Sequence, residues 1–279
     1  MTALESFEKK KDYAVLVDSD GCAMDTMNIK HIRCFGPCMI REWGLEAWEE
    51  EILSRWNEIN LYTATRGINR FKGLAVMLRE VSERYVRIDG IEALEDFAEH
   101  APELSNDAVS AKAGENGIFA KALRWSIAVN EAIGALPEDE VGPYRNVDKA
   151  LAAAHERADV SVVSSANPEA VRAEWTRFGL LKDVDLICTQ EMGSKAYCIG
   201  ELVKKGYAPD HVLMCGDAPG DEKAADTNGV LYYPILVNHE NESWEEFLEE
   251  ALPRFFAGEY AGEYQRKVRD AFRRNLGME

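Results

Sequence analysis

Five short apolar runs set the limits on what this chain can fold into. The first, Tyr13 to Val17, is continuous, as suits a strand buried on both faces of a parallel sheet. Similar runs return only much later, at Val160 to Val163, Val184 to Cys188 and Val212 to Cys215, and a fifth, Val230 to Val237, is broken by Pro234. Helical patterns separate them. Val147 to Ala158 precedes the second run, Pro168 to Phe178 lies between the second and third, and Lys195 to Lys205 lies between the third and fourth. Alternating strand and helix predicts an α/β protein with a parallel sheet and right-handed crossovers.

The stretch between the first and second runs reads differently. Leu45 to Ile59 carries Trp48, Ile52, Leu53, Trp56 and Ile59 at helical spacing, and Phe71 to Val81, Ile91 to His100 and Ile118 to Ile133 are also helical in pattern. Leu136-Pro137 through Gly142-Pro143 punctuates the end of this block. A helical block of roughly 120 residues is too long for a crossover and predicts an inserted domain. The expected division is a discontinuous core of residues 1–25 and 146–279, with a helical domain over 26–145. The tail from Ser243 has helical spacing on an acidic background, and Arg269, Arg273 and Arg274 near its end are expected to pair with the protein's own acidic surface.

Charge narrows the partners. The 279 residues hold 32 Lys plus Arg against 50 Asp plus Glu, a formal net charge of −18. Such a chain is not expected to condense on nucleic acid or on an anionic membrane surface. The N-terminal segment is polar and lacks the apolar region of a secretory signal, and no run approaches the roughly 20 apolar residues that span a bilayer. A cytoplasmic protein is expected. Cys22, Cys34, Cys38, Cys188, Cys198 and Cys215 are scattered, and Cys34 with Cys38 lacks a second pair to complete a zinc site, so all six read as reduced thiols.

The carboxylates cluster in pattern. Asp18 and Asp20 follow the first run directly, at the strand edge where open α/β sheets bind ligands. Two like charges so close repel unless a cation lies between them, and hard oxygen donors suit Mg2+. A second pair, Asp217 and Asp221, flanks the Gly-Pro turn after the fourth run. Either pair alone could merely cap turns and helices, a reading that weakens when both occur together. Ser164-Ser165-Ala166-Asn167 ends the second run before a helix, where a hydroxyl and backbone N–H groups can bind phosphate or simply cap the helix. Lys195 opens a helix, a position that disfavours a cation unless an anion is near.

In order, these segments resemble the four signature motifs of the haloacid dehalogenase-like hydrolase superfamily. Asp18-Ser19-Asp20-Gly21-Cys22-Ala23-Met24-Asp25 is similar to the first, Ser164 to the second, Lys195 to the third, and Gly216-Asp217-Ala218-Pro219-Gly220-Asp221 to the fourth. Cys22 stands where the superfamily usually has Thr or Val. The resemblance implies a Rossmann-like parallel core with an α-helical cap inserted after the first motif. It implies Asp18 as nucleophile, Asp20 as general acid and then base, and Ser164 and Lys195 as neutralisers of the phosphoryl oxygens. Ser165 is the alternative to Ser164, with the hydrophobic register favouring Ser164. Mg2+ is implied as cofactor, held by Asp18, the backbone carbonyl of Asp20, and Asp217, with Asp221 supporting.

The function implied is a Mg2+-dependent phosphatase acting on a small phosphorylated metabolite. An acid at Asp20 favours phosphate transfer over dehalogenation. A sugar-phosphate mutase would use the same residues and differ in its products, and a catalytically inactive binding protein on the same fold is a third reading. A glycosyltransferase with an Asp-x-Asp metal site leaves the second acidic pair unexplained. The implied cap would select the substrate, with His31, Arg33, Arg41, Arg66, Arg70 and Lys72 as candidate contacts and Asp25 near the hinge. Trp43, Trp48, Trp56 and Trp125 are expected in the core of the inserted domain.

Overall fold

The structure is a computed structural model that describes residues 2–137 and 140–278. Met1, Glu279, and Glu138 and Asp139 within the expected punctuation lie outside the described residues. Five strands form one sheet: β1 (Tyr13–Val17), β2 (Ala158–Val163), β3 (Leu186–Cys188), β4 (Val212–Gly216) and β5 (Leu231–Pro234). Their order is β3-β2-β1-β4-β5, and every pairing is parallel. The first strand in sequence is therefore the central one, with Val15 opposite Val160 on one side and Leu213 on the other.

Strand alternation sends successive side chains of β1 to opposite faces. Val15 and Val17 pack with Leu151, Val171, Trp175, Trp244 and Phe255, whereas Ala14 and Leu16 pack with Ile199, Leu202, Ala225 and Phe272. Helices Val147–His155 and Pro168–Arg177 thus cover one face and Lys195–Val203 and Pro219–Asn228 the other, while Glu263–Asn275 gives Tyr264 and Val268 to the first core and Phe272 to the second. Covering both faces removes every residue of β2 from solvent, including Asp159 and Ser161. β5 is an edge strand that ends at Pro234, where the missing N–H costs no ladder bond because Ile235 N–H still donates to the Gly216 carbonyl at 2.8 Å. Two of the three tail arginines pair as expected: Arg269 reaches Glu222 and Asp226, and Arg273 reaches Glu222.

Backbone contacts divide the chain into two compact units, Met1–Met27 with Val141–Glu279, and Asn28–Glu140. The second unit is helical, with Gly36–Trp43, Glu49–Asn57, Arg70–Arg84, Ile91–His100, Asn106–Lys112 and Gly117–Gly134 as its longer helices. Trp56 and Trp125 are fully buried in its core with Phe71, and Trp43 and Trp48 pack partly buried against it. The Trp125 indole N–H donates to the Phe35 carbonyl at 3.1 Å. All six cysteines are buried and unbridged.

Candidate active site

The loop after β1 carries the first acidic pair and is held from several sides. The Asp18 N–H donates to the Cys215 carbonyl at 3.0 Å, extending the β1–β4 ladder by one residue and fixing Asp18 at the sheet edge. Gly21 adopts φ +79°, which lets the chain turn back so that Met24 N–H reaches the Ser19 carbonyl at 2.8 Å. Two indoles brace this loop. Trp175 Nε1 donates to Ser19 Oγ at 2.9 Å, and Trp244 Nε1 donates to the Cys22 carbonyl at 2.9 Å. The Cys22 thiol donates to the Cys215 carbonyl, so a small polar group is accommodated at this buried position.

The same loop leads into the inserted unit. Met24 forms a single antiparallel bridge to Pro143, Asp25 N–H donates to the Gly142 carbonyl at 2.7 Å, and the Tyr144 hydroxyl donates to Asp25 Oδ1 at 3.2 Å. The outgoing and returning segments are therefore stitched together a few residues beyond Asp20. Thr26 Oγ1 donates to Asp20 Oδ1 and orients that carboxylate.

Three carboxylates converge. Ligand oxygens of Asp18, Asp217 and Asp221 lie within 4.8 Å of one another, and all three residues are buried. Lys195 joins them: its Nζ lies 2.8 Å from Asp18 Oδ1 and 2.6 Å from Asp221 Oδ1. Asp18 and Asp221 are thus the anions that offset a cation at this helix start. Asp20 is not part of the carboxylate trio. Asp221 is fixed further by the Ala218 N–H, which donates to its Oδ2 at 3.1 Å. Gly216 makes this possible, because a β-carbon there would lie 2.4 Å from Asp221 Cβ and 2.5 Å from its Oδ2. The Tyr232 hydroxyl donates to the Gly216 carbonyl at 2.9 Å and holds the end of β4.

Electrostatics follow from this crowding. Burial pushes the Asp18 carboxyl well above the usual carboxylate range, Lys195 opposes that shift, and Asp221 and Asp217 add to it. Burial alone would lower the Lys195 ammonium, but Asp18 and Asp221 outweigh it and raise it above its ordinary value. Gathering buried carboxylates is costly unless positive charge lies close by. An all-oxygen anionic donor set fits a hard divalent cation such as Mg2+.

The second predicted element lies on the neighbouring strand. Val17 pairs with Val162, so Asp18 lies one residue and Ser164 two residues beyond that pair. Ser164 N–H continues the ladder to the Cys188 carbonyl at 2.9 Å, and Ser164 Oγ accepts from Ala166 N–H at 3.1 Å. Asn167, not Ser164, caps the helix Pro168–Arg177, by accepting from Glu169 and Ala170 N–H. Ser164 is buried and Ser165 is exposed. Sequence reasoning missed Trp175, Trp244 and Tyr232. Their apolar bodies signalled only core, and their polar ends select partners far away in the chain.

The candidate contacts of the inserted unit have diverse settings. Arg33 pairs with Glu140 at 2.5 Å, Arg41 donates to Cys38 Sγ, Arg66 is buried and donates to the Leu61 carbonyl, and His31 stacks on Phe35. Arg70 donates to Ser126 and Asn130.

No protein-family model matches the sequence, and no curated protein matches it. Solved structures do. The chain is similar to a hydrolase of the haloacid dehalogenase-like family from Streptococcus pneumoniae, at TM-score 0.52 and 13% identity, over 84% of this chain and 90% of the other. It is also similar to a subfamily IA hydrolase of the same superfamily from Geobacter sulfurreducens, at TM-score 0.40 and 15% identity, over 80% and 86%. With its parallel sheet ordered around β1 and its helical insertion after that strand, this chain has the haloacid dehalogenase-like fold.

Proposed function

We propose that the protein is a divalent-metal-dependent phosphatase that hydrolyses a small phosphorylated metabolite in the cytoplasm. The observation that carries this reading is the buried trio Asp18, Asp217 and Asp221 at the ligand-binding edge of a parallel sheet, with Lys195 bridging Asp18 and Asp221. Asp18 is the nucleophile. One of its oxygens forms a bond to phosphorus as the ester P–O bond breaks, and Asp20 gives its proton to the leaving alcohol oxygen. Asp20 then takes a proton from water, whose oxygen bonds to phosphorus as the Asp18–phosphorus link breaks, returning Asp18 and releasing inorganic phosphate. Lys195 and Ser164 offset charge on the phosphoryl oxygens.

Asp18, Asp217, Asp221 and the backbone carbonyl of Asp20 would hold Mg2+, which when bound screens the phosphate from the carboxylates. Lys195 favours the ionised form of Asp18 that attack requires. Substrate selectivity is assigned to the inserted unit.

The test is phosphate release from p-nitrophenyl phosphate and a panel of phosphorylated metabolites, with Mg2+, with EDTA, and with Asp18→Asn. The expected result is release that needs the metal and falls at least about a thousandfold in Asp18→Asn, as expected when a covalent nucleophile is removed. Release that persists in Asp18→Asn overturns the nucleophile assignment. Equal release in EDTA overturns the metal dependence.

A further inference from the structure

Several arginines of the inserted unit are matched with carboxylates. Arg55 pairs with Glu80 and Glu58, Arg79 with Glu95 and Glu92, and Arg124 with Glu42. Arg70 is more deeply set than these, yet among the described residues no carboxylate pairs with it. Its guanidinium lies 5.0 Å from the Phe35 ring centroid, and its only hydrogen-bond partners are neutral. Those partners are all taken by one nitrogen. Nη1 donates to Ser126 Oγ at 2.9 Å, to Asn130 Oδ1 at 2.8 Å and to the Ser126 carbonyl at 3.4 Å. Ser126 Oγ in turn donates to Asn106 Oδ1 at 2.7 Å, so the anchor is itself fixed.

Nε and Nη2 make no hydrogen bond to a described residue, and neither is sealed from solvent. These two nitrogens form one edge of the guanidinium fork, the edge that grips a carboxylate or a phosphate in bidentate fashion. A half-buried cation without a counterion, clamped at one end and open at the other, is arranged for an anion that arrives from outside. Burial without a compensating anion lowers the Arg70 guanidinium from its ordinary value, and a bound oxyanion would relieve that cost.

We propose that Arg70 forms an oxyanion-binding site within the inserted unit, with Nε and Nη2 binding the carboxylate or phosphate group of a small anionic ligand. Ser126 and Asn130 are positioning residues that hold Nη1. The site is argued from the inserted unit alone and does not depend on the hydrolysis proposed above.

The experiment follows the Arg70 Nε–H signal of the full-length protein, labelled with 15N at arginine Nε and assigned through Arg70→Lys. Inorganic phosphate and malonate are titrated separately in EDTA. The expected result is a saturable shift of the Arg70 signal with at least one anion, while the signal of exposed Arg87 does not saturate. The tighter of the two probes identifies the group that the site takes. In Arg70→Lys, which keeps the charge but loses the fork, affinity for that probe measured calorimetrically falls about tenfold with the melting temperature preserved. The shift is expected to survive in Lys195→Met. An Arg70 signal that neither anion moves, or a shift abolished by Lys195→Met, overturns the proposal. Because turnover is not read, absence of phosphatase activity leaves the result standing.

Discussion

The two units of this molecule treat charge in opposite ways. The unit built on the sheet buries Asp18, Asp217 and Asp221 at one edge and sets Lys195 against Asp18 and Asp221. The inserted unit places Arg–Glu pairs toward its surface, such as Arg55 with Glu80 and Arg124 with Glu42, and fills its interior with Trp56, Phe71 and Trp125. Exposed pairs contribute little stability, so the inserted unit rests on packing. The site edge of the sheet is the reverse. Its backbone ladder and braced loops must hold charges together that repel, and stability spent there serves chemistry.

This contrast can be broken most forcefully at Trp125. Trp125→Ala removes a fully buried indole that meets Phe35, Trp56 and Phe71, and is expected to cost about 3–5 kcal/mol. Hydrogen exchange should show the loss over residues 28–140 while amides of β1 and β4 stay protected. Equal loss of protection in both units would mean that they do not rest on separate cores. Gly216→Ala presses a methyl group into Asp221 and is expected to cost about 1–3 kcal/mol, read by denaturant unfolding. It should also abolish metal-dependent phosphate release, and a variant that keeps full release would show that the Asp221 placement is dispensable.

A finer test bears on the brace. Trp175→Phe keeps the ring in the core but removes the bond to Ser19 Oγ, a loss of about 1 kcal/mol. Displacing the Asp18 loop should lower kcat about tenfold with KM little changed. A change in KM alone would relieve the loop of that role. The smallest effect belongs to the surface pairs. The hydrogen bond from Arg55 holds the Glu80 carboxyl below its ordinary value, so this pair stabilises the folded state above the unfolded carboxylate pKa of about 4.3. That contribution fades as the pH falls through the lowered folded value. Glu80→Gln should therefore be less stable than the parent near pH 7, by under about 1 kcal/mol, and equal to it in strong acid. A gap that widens on acidification would reverse the sign and refute the assignment.

Legibility in the sequence followed the same division. The strands were readable because a strand buried on both faces must be apolar along its whole length, and β1 begins and ends where its apolar run does. Helix Asn106–Lys112 was not readable, since it buries only Val109 and leaves almost no apolar period. Helix Gly36–Trp43 was obscured by the polar and mixed residues that lead into it. Asp18, Lys195 and Asp221 could be picked out singly because charge at a strand or helix end is conspicuous. That Lys195 bridges the two aspartates required the fold. So did the open edge of Arg70, which depends on which acceptors surround it and not on its neighbours in the chain.

The stitch between Met24 and Pro143 has a consequence for how such a chain can change. Because Asp25 and Gly142 are hydrogen-bonded partners within the sheet-bearing unit, that unit holds the two ends of the insertion side by side, like the ends of a closed loop. The entropy of closing a loop grows only logarithmically, by about 0.6 kcal/mol for each doubling of its length. The segment between those ends can therefore be lengthened, shortened or exchanged for another fold at little cost to the strands that position Asp18. Evolution could revise the insertion as a cassette while leaving the reacting groups where they are.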